Sequence, residues 1–121
     1  MNKYKDTPQD IHKRIYNFII NCFGDVVKKI PKTVENIPII SQLSSSLTSI
    51  GANDQEADAT ITKKDFIAKY MIVKKESKET KYWLSVIKDL QLVPKLTIEP
   101  YIQECQEILM IVSKIINNTR Y

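Results

Sequence analysis

Apolar residues recur every three or four positions along four separate stretches of the chain, a spacing typical of amphipathic α-helices. Only two glycines occur in the 121 residues, whereas a β-sandwich of this length would need many turns. Several of the prolines lie near the boundaries of the apolar stretches. The sequence therefore predicts an all-α protein, an antiparallel up-down-up-down four-helix bundle formed as one domain over residues 1–121.

The bounds of the predicted helices follow from the apolar stripes and from the residues that start or stop a helix. Thr7 and Pro8 predict an N-cap and a first helical residue, and Pro31 predicts the end of that helix. Thr62 followed by Asp65 resembles a capping box, with Asp in place of the usual Glu. We expect helices over about residues 8–30, 36–57, 62–90 and 98–118, joined by short connections.

Small residues dominate the second predicted helix. Between Leu43 and Ala52, every residue outside the Leu/Ile stripe is Ser, Thr, Gly or Ala. Ser, Thr and Gly are poor helix formers, so this helix must owe its stability to packing rather than to propensity. Small side chains let a neighbouring backbone approach closely, which predicts a tightly packed environment. A serine-rich loop is the alternative, and the regular Leu/Ile spacing favours the helix.

Groups that could carry catalysis or bind a metal are scarce. The single histidine, His12, has no ligand at metal spacing, and no glycine-rich phosphate loop exists. Glu76 and Glu79 lie one turn apart, but a di-iron bundle needs Glu-x-x-His on two helices. Cys22 and Cys105 lie in apolar stretches and are expected to be buried free thiols. We therefore predict no catalytic residue, no metal site, no cofactor and no enzymatic activity.

The chain lacks the sequence features of a membrane or secreted protein. No run of 18 apolar residues occurs, so no transmembrane span is expected. Residues 1–10 are polar and mixed in charge, unlike the apolar segment of a signal peptide. The sequence therefore predicts a cytoplasmic protein without a membrane partner.

Lysine is concentrated on one side of the third predicted helix. At about 100° per residue, these lysines fall within a sector of roughly 140°. Such a cluster could neutralise phosphates, and a solvated face with pairs such as Lys75 and Glu79 is the alternative. No arginine joins the stripe, so binding would follow charge and shape rather than base identity. The lysines are Lys63, Lys64, Lys74, Lys75, Lys78, Lys81 and Lys88.

The same helix carries a second apolar flank, formed by Ile72, Trp83 and Leu90. These residues project well away from the main stripe, which runs from Phe66 to Leu84. A helix in a small bundle needs one stripe, so a second one suggests a buried contact between copies of the chain. The alternative is one wide stripe inside a single bundle. We treat this flank as the candidate oligomer interface.

Two blocks of sequence resemble a family of bacterial four-helix-bundle proteins. The first reads T-S-I-G-A-N over residues 48–53, followed by Glu56 and Ala57, and the second includes K-D-F-I over 64–67 and E-S-K-E-T-K-Y-W-L over 76–84. Together they resemble the proteins encoded in intervening sequences of 23S ribosomal RNA genes. This chain departs from the family pattern at Ser45, where the family usually carries Arg, and at Asp54, which replaces a usual aromatic residue.

The resemblance implies an antiparallel four-helix bundle that forms a ring-like homo-oligomer, typically a pentamer, with no enzymatic activity. Related bundles are accessory proteins of diversity-generating retroelements, which implies RNA or DNA contact and a reverse transcriptase as a further partner. Our leading functional hypothesis is a homo-oligomeric scaffold that contacts structured RNA or DNA through the lysine-rich face. The alternative is an adaptor that binds another protein and no nucleic acid.

Overall fold

The computed structural model describes the backbone of residues 9–120 and the side chains of residues 11–120. Over that range the chain forms helices and connections without a strand, which confirms the all-α prediction. The helices are α1 (Gln9–Asp25), α2 (Ile37–Asp58), α3 (Lys63–Asp89) and α4 (Lys95–Thr119). The predicted cap at Thr7 and Pro8 lies outside the described residues.

Contacts between the helices show that neighbours run antiparallel. The contacts join the beginning of one helix to the end of its neighbour. Between α2 and α3, Asp54 contacts Tyr70 and Ser46 contacts Thr80. The other pairs show the same order in Lys88 with Glu99, His12 with Asp54, and Asn21 with Tyr101. α3 packs against both α2 and α4, and α1 packs against α2 and α4, which closes the bundle. The predicted four-helix bundle is therefore confirmed.

The prediction that the first helix continues to residue 30 is wrong. α1 ends at Asp25, and a 3₁₀ turn over Val27–Lys29 follows it. Ile30 is extended, with φ −72° and ψ 127°, because a residue before proline is disfavoured in the helical region. The tighter winding still turns Val26, Val27 and Ile30 into the core, where all three are buried. Their apolar spacing alone did not distinguish this turn from continued α-helix.

The fourth helix begins at Lys95, three residues before the predicted start at Ile98. Pro94 precedes it as the N-cap, and Thr97 N–H donates to the Pro94 carbonyl at 2.9 Å. Pro100 lies inside the helix and is exposed. It cannot donate to the carbonyl four residues earlier, so the second turn lacks one intrahelical hydrogen bond. Pro100 thus lies deeper in the helix than the first turn, which is the usual position of a helical proline.

Both ends of α3 are closed by local hydrogen bonds. Thr62 caps the N-terminus, its Oγ1 accepting from the Asp65 N–H at 3.1 Å, as predicted. At the other end Gln91 has φ 56°, and its N–H donates to Lys88 while the Leu92 N–H donates to Ile87. These paired bonds form a Schellman motif, which usually places glycine at the left-handed residue.

Small polar residues are buried inside the bundle, and two of them join α2 to α3. Ser46, Ser77 and Thr80 are each at most 1% exposed. Thr80 Oγ1 donates to Ser46 Oγ at 2.8 Å across the two helices, and Ser46 Oγ donates to the Leu43 carbonyl at 3.1 Å. The serine-rich segment is thus helical, as its Leu/Ile spacing predicted. The expected close packing is seen at Ser46, whereas Ser45, Thr48 and Ala52 are exposed.

Candidate nucleic-acid interface

The predicted lysines lie along α3, from its junction with α4 to the outer surface of the bundle. Lys63, Lys64, Lys75 and Lys78 are exposed. Lys74, Lys81 and Lys88 are half-buried. The lysine-rich face therefore has an outer part and a part that borders α4.

Two of the lysines that border α4 have partners on that helix. Lys88 Nζ lies 3.2 Å from Glu99 Oε2, an ion pair that compensates its charge locally. Lys81 Nζ donates to Gln106 Oε1 at 2.6 Å, and since that acceptor is neutral, the lysine keeps its full positive charge. Positive charge available to a ligand is therefore concentrated away from the Lys88 end of α3.

A groove of about 560 Å³ lies between α3 and α4 beside this charge. We call it the α3–α4 groove. One face of α4 forms a wall of this groove, and it carries apolar, amide and cationic side chains. The lining residues are Lys74, Lys78, Gln106, Leu109, Met110, Ser113, Lys114, Asn117 and Asn118.

The groove contains no acidic side chain, and its three lysines have no carboxylate within 4.0 Å among the described residues. The acids of α4 contact cations elsewhere. Glu104 and Glu107 accept from the Arg14 guanidinium at 2.7 and 2.6 Å on the α1 side, and Glu99 pairs with Lys88. This segregation leaves an uncompensated positive site at Lys74, Lys78 and Lys114.

Sequence reasoning found Lys74 and Lys78 but missed the α4 residues of the groove. Lys114, Asn117 and Asn118 lie about 40 residues away along the chain and reach α3 only through the packing of the two helices. Their i, i+3, i+4 spacing was a usable signal, since it places them on one flank of α4. Only the structure shows that this flank of α4 lies beside α3.

The residues of the candidate oligomer interface differ in exposure. Ile72 is half-buried and Leu90 is 55% exposed. Trp83 packs partly against the core of its own bundle, with Tyr82 edge-on at a ring-centroid distance of 4.9 Å. The Trp83 Nε1–H is buried and has no acceptor within the described part of the chain. An unpaired buried donor is costly, so the indole N–H of Trp83 is an unsatisfied polar group.

A buried polar network that the sequence did not reveal joins α1, α2 and α3. Asp54 is 1% exposed. It accepts from the Tyr70 hydroxyl at 2.7 Å and from His12 Nδ1 at 2.9 Å. His12 Nε2 lies 3.9 Å from Asp58. Since the carboxylate contacts one side chain from each neighbouring helix, its main effect is to hold α1 and α3 against α2.

The His12–Asp54 contact predicts that stability declines at alkaline pH. Hydrogen bonding to Asp54 raises the pKa of His12 above its ordinary 6.5, against the opposing effect of burial. A raised folded-state pKa adds stability that is complete below the unfolded pKa and is lost as pH rises through the folded pKa. We expect wild type to exceed a His12→Gln variant in urea-unfolding free energy by more at about pH 6 than at about pH 9. A pH-independent difference would contradict this assignment.

The remaining candidate chemistry is sparse over residues 11–120. No group of three or more His, Cys, Asp or Glu in that range is arranged to hold a metal ion. Cys22 and Cys105 are buried free thiols, as expected, and burial raises the pKa of each to about 12. No described helix is long and apolar enough to cross a bilayer.

Comparison with known proteins agrees with the fold. The family described as 23S rRNA-intervening sequence protein matches residues 8–114. No curated protein matches the chain. A solved structure from Bacteroides thetaiotaomicron, described as a protein with unknown function from the S23 ribosomal protein family, is similar with a TM-score of 0.75 and 29% identity. The similarity covers 88% of this chain and 97% of that one. The chain therefore belongs to the 23S rRNA-intervening sequence protein family.

Proposed function

We propose that this protein is a non-enzymatic, homo-oligomeric bundle that contacts structured RNA or DNA through the lysine-rich face of α3 and the adjoining part of α4. The observation that carries the proposal is the uncompensated charge of Lys74, Lys78 and Lys114 around a groove without acids. The family's name refers to an intervening sequence of ribosomal RNA, which is consistent with a nucleic-acid partner. The family resemblance adds a reverse transcriptase as a proposed partner, and the polar N-terminal residues support a proposed cytoplasmic location.

The chemistry of the face favours phosphate contact over base readout. A lysine ammonium is a compact point charge without the planar fork that arginine uses for bidentate recognition. Each phosphate neutralised on a duplex should contribute about 0.9 to the slope of log affinity against log salt. Binding through this face should therefore be salt-sensitive and weakly dependent on sequence.

Self-association would multiply these contacts. If several copies present the face together, avidity could exceed the affinity of one subunit by roughly 10²–10⁴. We place the subunit contact at Ile72, Trp83 and Leu90, because Leu90 is 55% exposed and the buried Trp83 Nε1–H lacks an acceptor. A hydrogen-bond acceptor on a neighbouring subunit would remove the cost of leaving this buried N–H unpaired.

We expect light scattering to give several times the 14.0 kDa chain mass, with a pentamer as the expected assembly. Trp83→Ala should weaken the oligomer, because it removes the largest side chain of the proposed contact. Tyr16→Ala is the matched control, since Tyr16 is an exposed aromatic residue on α1. A monomeric wild type at micromolar concentration would refute self-association, and an oligomer unaffected by Trp83→Ala would refute the assigned contact.

The charge proposal is tested by combining Lys74→Glu, Lys78→Glu and Lys114→Glu. We expect at least about a tenfold loss of affinity for a structured RNA at low salt, because the reversed charges repel phosphates. The matched control combines Lys28→Glu, Lys29→Glu and Lys32→Glu, which make the same charge change at exposed positions after α1. Equal losses in the two variants, or no loss in either, would contradict a localised interface.

One observation favours the adaptor alternative. Exposed aliphatic side chains collect where the α1–α2 and α3–α4 connections meet at one end of the bundle. They are Val34 (85% exposed), Ile37 (54%), Leu90 (55%) and Leu96 (87%). Exposed apolar patches are a feature of protein-binding surfaces. The adaptor hypothesis is favoured if the wild-type protein binds no nucleic acid at low salt.

A further inference from the structure

The α3–α4 groove is an open depression of the surface beside the lysines. Its volume of about 560 Å³ lies within the range of small-ligand sites, about 300–1,000 Å³. A duplex keeps its bases stacked inside and presents phosphates on its outside. Unpaired nucleotides present phosphates and splayed bases together, which is why single strands can fill concave sites.

The lining supplies a partner for each part of an unpaired nucleotide. Lys74, Lys78 and Lys114 offer ammonium groups to phosphates. Met110, 61% exposed on the groove wall, offers an apolar and polarizable contact for a base. Asn117 and Asn118 have amides that both donate and accept, as base edges require. A contact made through charge alone would need only the lysines, and not the apolar and amide side chains beside them.

The direction of α4 orders these contacts along the groove. Asn117 and Asn118 lie in the last turn of α4, where the helix carries partial negative charge from its free carbonyls. That charge disfavours phosphate beside them and favours the amino groups of bases. The groove lysines Lys74, Lys78 and Lys114 lie farther from this terminus. Phosphates are therefore expected at the lysines, and a base edge at the asparagines.

We propose that the α3–α4 groove binds a short unpaired stretch of RNA or DNA, with phosphates at Lys74, Lys78 and Lys114, one base against Met110, and a neighbouring base edge at Asn117 and Asn118. The wall from Gln106 to Asn118 is about 18 Å long at 1.5 Å per residue, enough for a segment rather than a single mononucleotide. This inference rests on the proposed nucleic-acid function and adds the class of ligand.

The test compares single-stranded and paired RNA on the full chain. Fluorescence anisotropy would measure binding of a labelled adenine-rich octanucleotide, alone and paired with its complement. The variant combines Met110→Ala, Asn117→Ala and Asn118→Ala, all at exposed positions and without a charge change. We expect about a tenfold weaker affinity for the single strand, with duplex affinity unchanged.

The control variant combines Asn17→Ala, Ile20→Ala and Asn21→Ala, which removes the same kinds of side chain from exposed positions of α1. It should bind both RNAs as wild type does. If the groove variant binds the single strand as wild type does, or loses both RNAs equally, the groove is not a single-strand site, and salt-sensitive duplex binding would still support the proposed function. If wild type binds neither RNA, the proposed function and this inference both fail.

Discussion

Replacing Asp54 with alanine should lower the free energy of unfolding by about 3–5 kcal/mol. The carboxylate is 1% exposed and accepts from both Tyr70 and His12. Its removal leaves the hydroxyl of Tyr70, a residue with no exposed surface, without its acceptor. It also deprives His12 of its hydrogen bond to Asp54, the largest cause of its raised pKa. Loss of one member of a buried pair is costly because the remaining polar groups stay buried.

Urea unfolding measured by circular dichroism would give this change directly. Asp54→Asn should cost less than Asp54→Ala, since the amide keeps one oxygen that can accept from Tyr70. Gln55→Ala is the matched control, because Gln55 is exposed one residue away in the same helix. A loss below about 1 kcal/mol for Asp54→Ala would mean that the network contributes little to stability.

Replacing Ser46 with leucine should cost about 2–6 kcal/mol, through two separate effects. Ser46 is 1% exposed, so a larger side chain must displace its surroundings, and overpacking typically costs about 1–3 kcal/mol. Leucine also removes the acceptor of Thr80 Oγ1, which lies 2.8 Å away. A buried hydroxyl left without its partner costs about 1–3 kcal/mol more.

Ser46→Ala separates the two effects, because it removes the acceptor without adding volume. We expect Ser46→Ala to lose about 1–2 kcal/mol and Ser46→Leu clearly more, in parallel denaturant titrations. Ser45→Leu is the control for leucine at a neighbouring exposed position of α2. Equal losses of unfolding free energy for Ser46→Ala and Ser46→Leu would show that α2 and α3 can move apart to fit leucine without further loss of stability.

The fold was predictable because a single physical signal, apolar spacing, recurs in all four helices. Even α2, rich in poor helix formers, followed its Leu43, Leu47 and Ile50 stripe, all of which are buried. The errors occurred at helix ends, where local geometry decides. A 3₁₀ turn over Val27–Lys29 and an early start at Lys95 preserve the apolar pattern while changing the winding.

The candidate site was only half predictable. The α3 lysines share one helix face, so their clustering follows from sequence alone. Lys114 and the asparagines of α4 join them only through tertiary packing, and the pairing of Lys88 with Glu99 depends on the same packing. The sequence marked Asp54 as a departure from the family pattern but did not reveal its contacts, which join residues 42 and 16 positions apart in the chain. One sequence contains no direct signal for such pairs.

We propose that nucleic acid contacts the lysine-rich face of α3 and the adjoining part of α4. Photo-crosslinking of a structured RNA containing 4-thiouridine to the full chain, with the cross-linked peptides identified by mass spectrometry, would locate this contact. We expect cross-links within residues 71–81 and 106–120, which border the α3–α4 groove. Cross-links confined to α1 and α2, or none under conditions in which the RNA binds, would contradict it.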